Sequence, residues 1–154
     1  MATGDRASST AVGVVLLVAA SAALAAVLGL ALCAGTPAAP AHAEFSLAVD
    51  PVSDRVAVVH AGGDSLDPGE LRVRISVEGD PIAHQPPVPF FSARGFHSGP
   101  TGPFNSATGG EWTAGERPSL RLADTNTDIR AGDRVVVELY RGDQRLAVLE
   151  TVAC

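Results

Sequence analysis

The sequence contains no lysine: all eleven of its formally basic residues are arginine, against seventeen Asp and Glu. The formal net charge is -6, and the whole excess falls from Glu44 onward. An acidic domain offers no Lys/Arg footprint for phosphates, which excludes nucleic-acid binding. Acidity without lysine fits a GC-rich genome, a halophile's surface, or both, because net charge keeps a protein soluble. Only two cysteines occur, Cys33 and Cys154. They form neither a CxxC nor a metal-ligand spacing. Two free thiols is the simplest reading, with an intersubunit disulfide open in an oxidising compartment.

Catalytic signatures are also missing. There is no Ser-His-Asp order, HExxH, P-loop or GxGxxG. His42, His60, His84 and His97 are scattered, so no enzyme activity, cofactor or metal site is expected. Asp124–Asp128 matches the first half of a calcium loop, but Ile129 stands where Gly is needed and Val135 where Glu is needed. A polar inter-strand loop is the better reading. Arg141-Gly142-Asp143 reads as hairpin-turn chemistry. No Asn-x-Ser/Thr sequon occurs.

What is present begins with a charge-free stretch from Ala7 to Ala43. Its apolar heart, Ala11–Ala34, exceeds the ~20 residues needed to cross a bilayer, and as a helix it would be about 36 Å long. It is apolar all round, so it has no polar face to lie on a membrane surface. Pro37 and Pro40 stop the helix. Three readings are open: a signal peptide cut after Ala41-His42-Ala43, a lipoprotein modified on Cys33, or a retained anchor. The length of the run exceeds a signal h-region and favours the anchor. Ala19, Ala20, Ala22, Ala23, Ala25 and Ala26, flanked by Gly13 and Gly29, suit close packing between apolar helices. Gly13, Ala22, Ala26 and Gly29 are the candidate packing positions.

The stretch Arg6-Ala7-Ser8-Ser9-Thr10-Ala11-Val12-Gly13-Val14-Val15-Leu16 resembles the N-terminus of archaeal type IV pilins, especially haloarchaeal ones. Thr10 stands where that family most often has Pro. The resemblance implies cleavage by a prepilin peptidase between Ala7 and Ser8, with Arg6, Ala7 and Ser8 as the recognition site. Further blocks are similar to the same family: Val58-Val59-His60-Ala61-Gly62-Gly63-Asp64-Ser65-Leu66-Asp67, Gly102-Pro103-Phe104-Asn105, Glu111-Trp112-Thr113-Ala114-Gly115-Glu116 and Ala131-Gly132-Asp133-Arg134-Val135.

Past Ala43 the pattern is β. Phe45, Leu47 and Val49 alternate with Ser46 and Ala48. Val56 and Val58 alternate with Arg55 and Ala57. Leu71, Val73, Ile75 and Val77 alternate with Arg72, Arg74, Ser76 and Glu78, and Leu120 and Leu122 flank Arg121. Val135, Val137 and Leu139 alternate with Arg134 and Glu138. Arg145–Val152 is apolar on both faces and reads as a central strand. Asp50–Asp54 and Arg141–Gln144 read as hairpin turns. Six strands are expected, seven if Val88–Ser92 pairs, in an all-β, Ig-like antiparallel sandwich. Residues 79–118 break the pattern, with six prolines between Pro81 and Pro103 and five interleaved aromatics. They read as a long ordered loop pinned by Phe90, Phe91, Phe96, Phe104 and Trp112, or as a contact surface built from them.

The expected organisation is a leader at 1–7, an apolar transmembrane or filament-core helix at 8–35, a Pro/Ala linker at 36–43 and an extracytoplasmic β-sandwich at 44–154. The expected function is a structural subunit, major or minor, of a type IV pilus-like filament on the cell surface, serving adhesion or surface contact. The resemblance implies as partners itself and sister pilins, a prepilin peptidase, and an assembly ATPase with its membrane platform. The alternative is a membrane-tethered or secreted β-sandwich binding module that does not polymerise.

Overall fold

The computed structural model describes residues 11–23 and 42–154. The chain divides into two compact units, Met1–Ala39 and Pro40–Cys154.

In the first unit, residues 11–23 form a helix, α1. Ala and Leu favour helix, and the valines tolerate it. Its one polar side chain past the first turn, Ser21, donates Oγ–H to the Leu17 carbonyl at 2.5 Å and so hides its hydroxyl on the helix itself. Every described residue of α1 is exposed, including Val12, Val14, Val15, Leu16, Leu17 and Val18. Among the described residues no helix is long and apolar enough to cross a membrane. The rest of the expected span, residues 24–35, and the leader at 1–7 lie outside the described residues, as does Cys33.

The second unit is mostly β-sheet. Seven strands build it: β1 (Ala43–Asp50), β2 (Arg55–Gly63), β3 (Leu71–Val77), β4 (Asp80–Pro81), β5 (Ser119–Arg121), β6 (Arg134–Arg141) and β7 (Gln144–Val152). They form two antiparallel sheets, β1-β2-β5 and β4-β3-β6-β7. The alternating side chains meet between them. Val73, Ile75 and Val77 from β3 and Val135, Val137 and Leu139 from β6 share one core with Val49, Val56, Val58 and Leu120. Each fully buried aliphatic side chain contributes about 1.5–3 kcal/mol relative to leaving it in water.

Both expected hairpin turns form. In the β1–β2 turn, Asp50 accepts from the Val52 N–H at 2.9 Å and the Ser53 Oγ–H at 2.7 Å. The Ser53 bond, then the Val52 bond, holds the Asp50 carboxyl below its usual range. In the β6–β7 turn, Gly142 takes a positive φ of 57° between the paired Arg141 and Gln144, the conformation a two-residue hairpin loop needs.

Two strand expectations are corrected. The seventh strand is β4, two residues following the Glu78-Gly79 turn, whereas Val88–Ser92 contributes only an isolated bridge between Phe90 and Asn105. Arg145–Val152 is an edge strand, not a central one. Leu139 pairs with Ala147 and Tyr140 with Arg145, so Leu146 is an extra residue that shifts the phase of alternation. This puts Leu146, Ala147 and Leu149 against the core and leaves Val148 and Val152 outward, 49% and 55% exposed.

The irregular segment before β5 contributes much of the core. Ile82, Val88, Phe90, Phe96, Phe104 and Trp112 are all buried; Phe91, 57% exposed, is the exception. Side-chain amides hold it in place of a ladder. Gln85 receives the Ile75 N–H at 2.7 Å and returns an Nε2–H to the Ile75 carbonyl at 2.8 Å, as a neighbouring strand would. Asn126 donates Nδ2–H to the carbonyls of His84 and Gly95 at 3.0 and 2.9 Å and accepts the His84 N–H at 3.1 Å.

Candidate functional site

Of the residues singled out on sequence, Arg6, Ala7, Ser8, Ala26 and Gly29 lie outside the described residues. Gly13 and Ala22 are on α1, both exposed, and a Cβ on Gly13 would meet nothing within 4 Å. They are nine positions apart, two and a half turns, and so face opposite ways. Ala20, seven positions on, shares the Gly13 face.

Three of the four sequence blocks Val58–Asp67, Gly102–Asn105, Glu111–Glu116 and Ala131–Val135 are brought together around Trp112, which is 0% exposed. Leu66 and Trp112 exchange backbone hydrogen bonds at 3.0 and 2.7 Å. His60 donates its N–H to the Glu116 carbonyl at 3.0 Å and accepts the Gly115 N–H at 2.7 Å. Phe104 packs edge-on to the indole, ring centroids 5.2 Å apart. Glu116 closes the turn by accepting from the Thr113 N–H at 2.7 Å and its hydroxyl at 3.0 Å. The fourth block stands apart at the start of β6, where Gly132 donates to the Ala153 carbonyl and Ala153 to the Asp133 carbonyl, both at 2.8 Å.

The Val58–Asp67 block is also the corner where the chain joins the β unit. Asp64 donates its N–H to the His42 carbonyl at 2.9 Å, and its Oδ2 accepts the His42 N–H at 3.1 Å. Gly63 makes this possible. Its φ is +101°, and a Cβ there would lie 2.1 Å from the His42 carbonyl oxygen. Only glycine fits both the backbone region and the space. Asp67 then caps the 3-10 turn Pro68–Glu70, with Oδ1 accepting from the Gly69 N–H at 2.8 Å. Two adjacent glycines followed by Asp were a visible signal for a tight turn; that the turn clamps His42 was not visible.

His60 sits behind this corner. It is 0% exposed, stacked on Phe45 at 5.2 Å and edge-on to Trp112 at 5.6 Å, and neither ring nitrogen has a hydrogen-bond partner. It has no access to a ligand, so its place is in the core.

Asp124 and Asp128 are exposed, Asn126 turns inward as a clamp, and Ile129, at the glycine position of a calcium loop, is buried in the core. Among the described residues no group of three or more His, Cys, Asp or Glu could hold a metal ion. Cys154 is exposed and unpaired with any described cysteine. No protein-family model matches the chain, and no curated protein matches it.

Proposed function

We propose that this chain is a structural subunit of a type IV pilus-like surface filament, with an Ig-like sandwich carried on an N-terminal filament helix. The observation that carries the reading is α1: a helix starting by residue 11 whose valines and leucines are exposed on every side. Such a surface must be buried in lipid or among other helices, because exposed apolar area costs about 25 cal/mol per Å². The β unit supports it by its construction. Its chain is taken up at one clamped corner, His42 against Gly63 and Asp64, which suits a domain mounted on a stalk.

In this reading the prepilin peptidase cuts between Ala7 and Ser8, ahead of the apolar run, so the helix is kept. It waits in the membrane until the assembly ATPase and membrane platform move it into a filament. There copies of itself and sister pilins replace lipid, and the β unit faces outward. The test is the mass of the mature N-terminus from cells. A chain beginning at Ser8 is the expected result. A start at Glu44, or a lipidated Cys33, overturns the proposal in favour of a secreted or tethered binding module.

A further inference from the structure

Arg55 on β2 and Arg121 on β5 are register partners, directly opposite each other on one face of the three-stranded sheet. Like charges in that position destabilise a sheet. Among the described residues the ion pairs are Arg134–Glu150 and Arg145–Glu138, so neither Arg55 nor Arg121 closes an ion pair with a carboxylate. Asp50, opposite Arg55 on β1, is the nearest counter-charge: its oxygens accept from Val52 and Ser53, and Arg55 attracts it electrostatically without closing an ion pair. Asp54 accepts the Ile129 N–H on Oδ1.

The two guanidiniums border a pocket of about 200 Å³, completed by His97, Thr101 and Ser119. No carboxylate lines it, in a chain of net charge -6. The pocket is held in shape from below. Ser119, 5% exposed, shares a 2.9 Å bond with the Thr101 hydroxyl and accepts from Arg55 Nη1 at 3.3 Å. Backbone bonds from His97 to Arg121 and from Thr101 to Ser119 tie the 97–101 loop to β5. Arg121 commits its Nε–H to the Ser53 carbonyl at 3.2 Å. Each guanidinium carries five N–H donors, of which the bonds to Ser119 and Ser53 use one apiece.

We infer that this pocket binds an oxyanion, a sulfate or carboxylate, free or carried on an acidic sugar. An anion between the guanidiniums would relieve the cross-strand repulsion and accept charge-assisted, bidentate hydrogen bonds, for which arginine is the suited donor. The volume admits one small group, not a polymer chain, so a polysaccharide would present one acidic substituent here. This site lies on the β unit and is independent of whether the chain polymerises.

The test is titration of the full chain in non-ionic detergent, following the Arg55 and Arg121 Nε–H resonances, with sodium sulfate in one arm and sodium glucuronate in another. Glucose serves as the neutral control, and ionic strength is held constant with sodium chloride. Saturating shifts at both arginines are expected. Arg55→Gln and Arg121→Gln should each weaken binding at least about tenfold, the loss of one charge-assisted hydrogen bond. Arg72→Gln with Arg74→Gln, on the other sheet, should leave it unchanged. Tighter binding of glucuronate than sulfate assigns the site to a sugar-borne acid, and the reverse assigns it to a free oxyanion. Shifts that never saturate in wild type, or that survive both pocket substitutions, overturn the inference. The wild-type titration decides even if a variant fails to fold.

Discussion

The His60 imidazole lies parallel to the Phe45 ring, 24° between planes and 5.2 Å between centroids, with both ring nitrogens buried and unpartnered. A buried polar atom without a hydrogen bond costs about 1–3 kcal/mol. His60 therefore weakens the core it fills. Methionine has a similar volume, can adapt its shape, and makes favourable sulfur contacts with rings such as Phe45 and Trp112. His60→Met should raise stability by about 1 kcal/mol, after the lost ring stacking offsets part of the gain. Urea unfolding of the full chain in detergent checks it. A fall of similar size would mean that the ring nitrogens have partners in solution.

Adjacent glycines give a paired test of the corner. Gly63 has a positive φ and no room for a Cβ, whereas Gly62 has ordinary backbone and nothing within 4 Å. Gly63→Ala should cost at least about 2 kcal/mol, from a disfavoured backbone region and a clash with the His42 carbonyl. Gly62→Ala should stay within about 0.5 kcal/mol of wild type. Hydrogen exchange at the Asp64 amide, which bonds that carbonyl, should quicken in the first variant alone. Equal effects of the two would show that the corner is not held as described.

Strands such as Leu71–Val77 and Val135–Leu139 can be read from sequence because one face is buried and the other wet, which imposes a period of two. The turns can be read because Gly142 and Asp50 are residues whose chemistry makes turns. The 82–118 segment cannot, since its backbone is held by Gln85 and Asn126 side chains acting on distant residues, and such bonds leave no period. Asn126 was visible only as part of a calcium-like letter pattern, and its real partners, His84 and Gly95, are far away in sequence. The Arg55–Arg121 pair was hidden for the same reason: both look like ordinary outward strand residues until the β2–β5 register is known. At α1 the composition was plain, but which small residues share a face depended on phase, and Gly13 and Ala22 do not.

The β unit should fold when separated from the N-terminal segment, because its core residues all come from within Pro40–Cys154. Where it is cut matters. A chain of residues 40–154 keeps both bonds between His42 and Asp64, and one of residues 44–154 loses them together with the Ala43–Gly63 pair. The longer fragment should be more stable by about 1–2 kcal/mol, two hydrogen bonds at their usual net value. Both should give β-dominated far-ultraviolet circular dichroism and run as soluble monomers. Aggregation of both would show that the N-terminal segment completes the fold.

The last prediction separates packing from anchoring. Ala22→Leu with Ala26→Leu makes the N-terminal segment more apolar, so insertion into a membrane should be unharmed or improved. The same change fills a small-xxx-small surface, where close approach of helix backbones depends on the absence of large side chains. Ala22 is exposed on α1, so the added bulk projects outward and does not disturb the helix, and leucine keeps nearly the helix propensity of alanine. A lone anchor is indifferent to this. A filament subunit loses incorporation while its membrane-bound pool rises. A second pair, Gly13→Leu with Ala20→Leu, tests the opposite face in the same way, and a difference between the two pairs identifies which face meets a neighbouring helix. The measurement compares sheared surface filaments with the membrane fraction, for wild type and both pairs, in a host that carries the assembly machinery. Equal incorporation of all three would show that neither face is an assembly interface. Absence of the wild-type chain from any filament would leave the tethered module as the surviving reading.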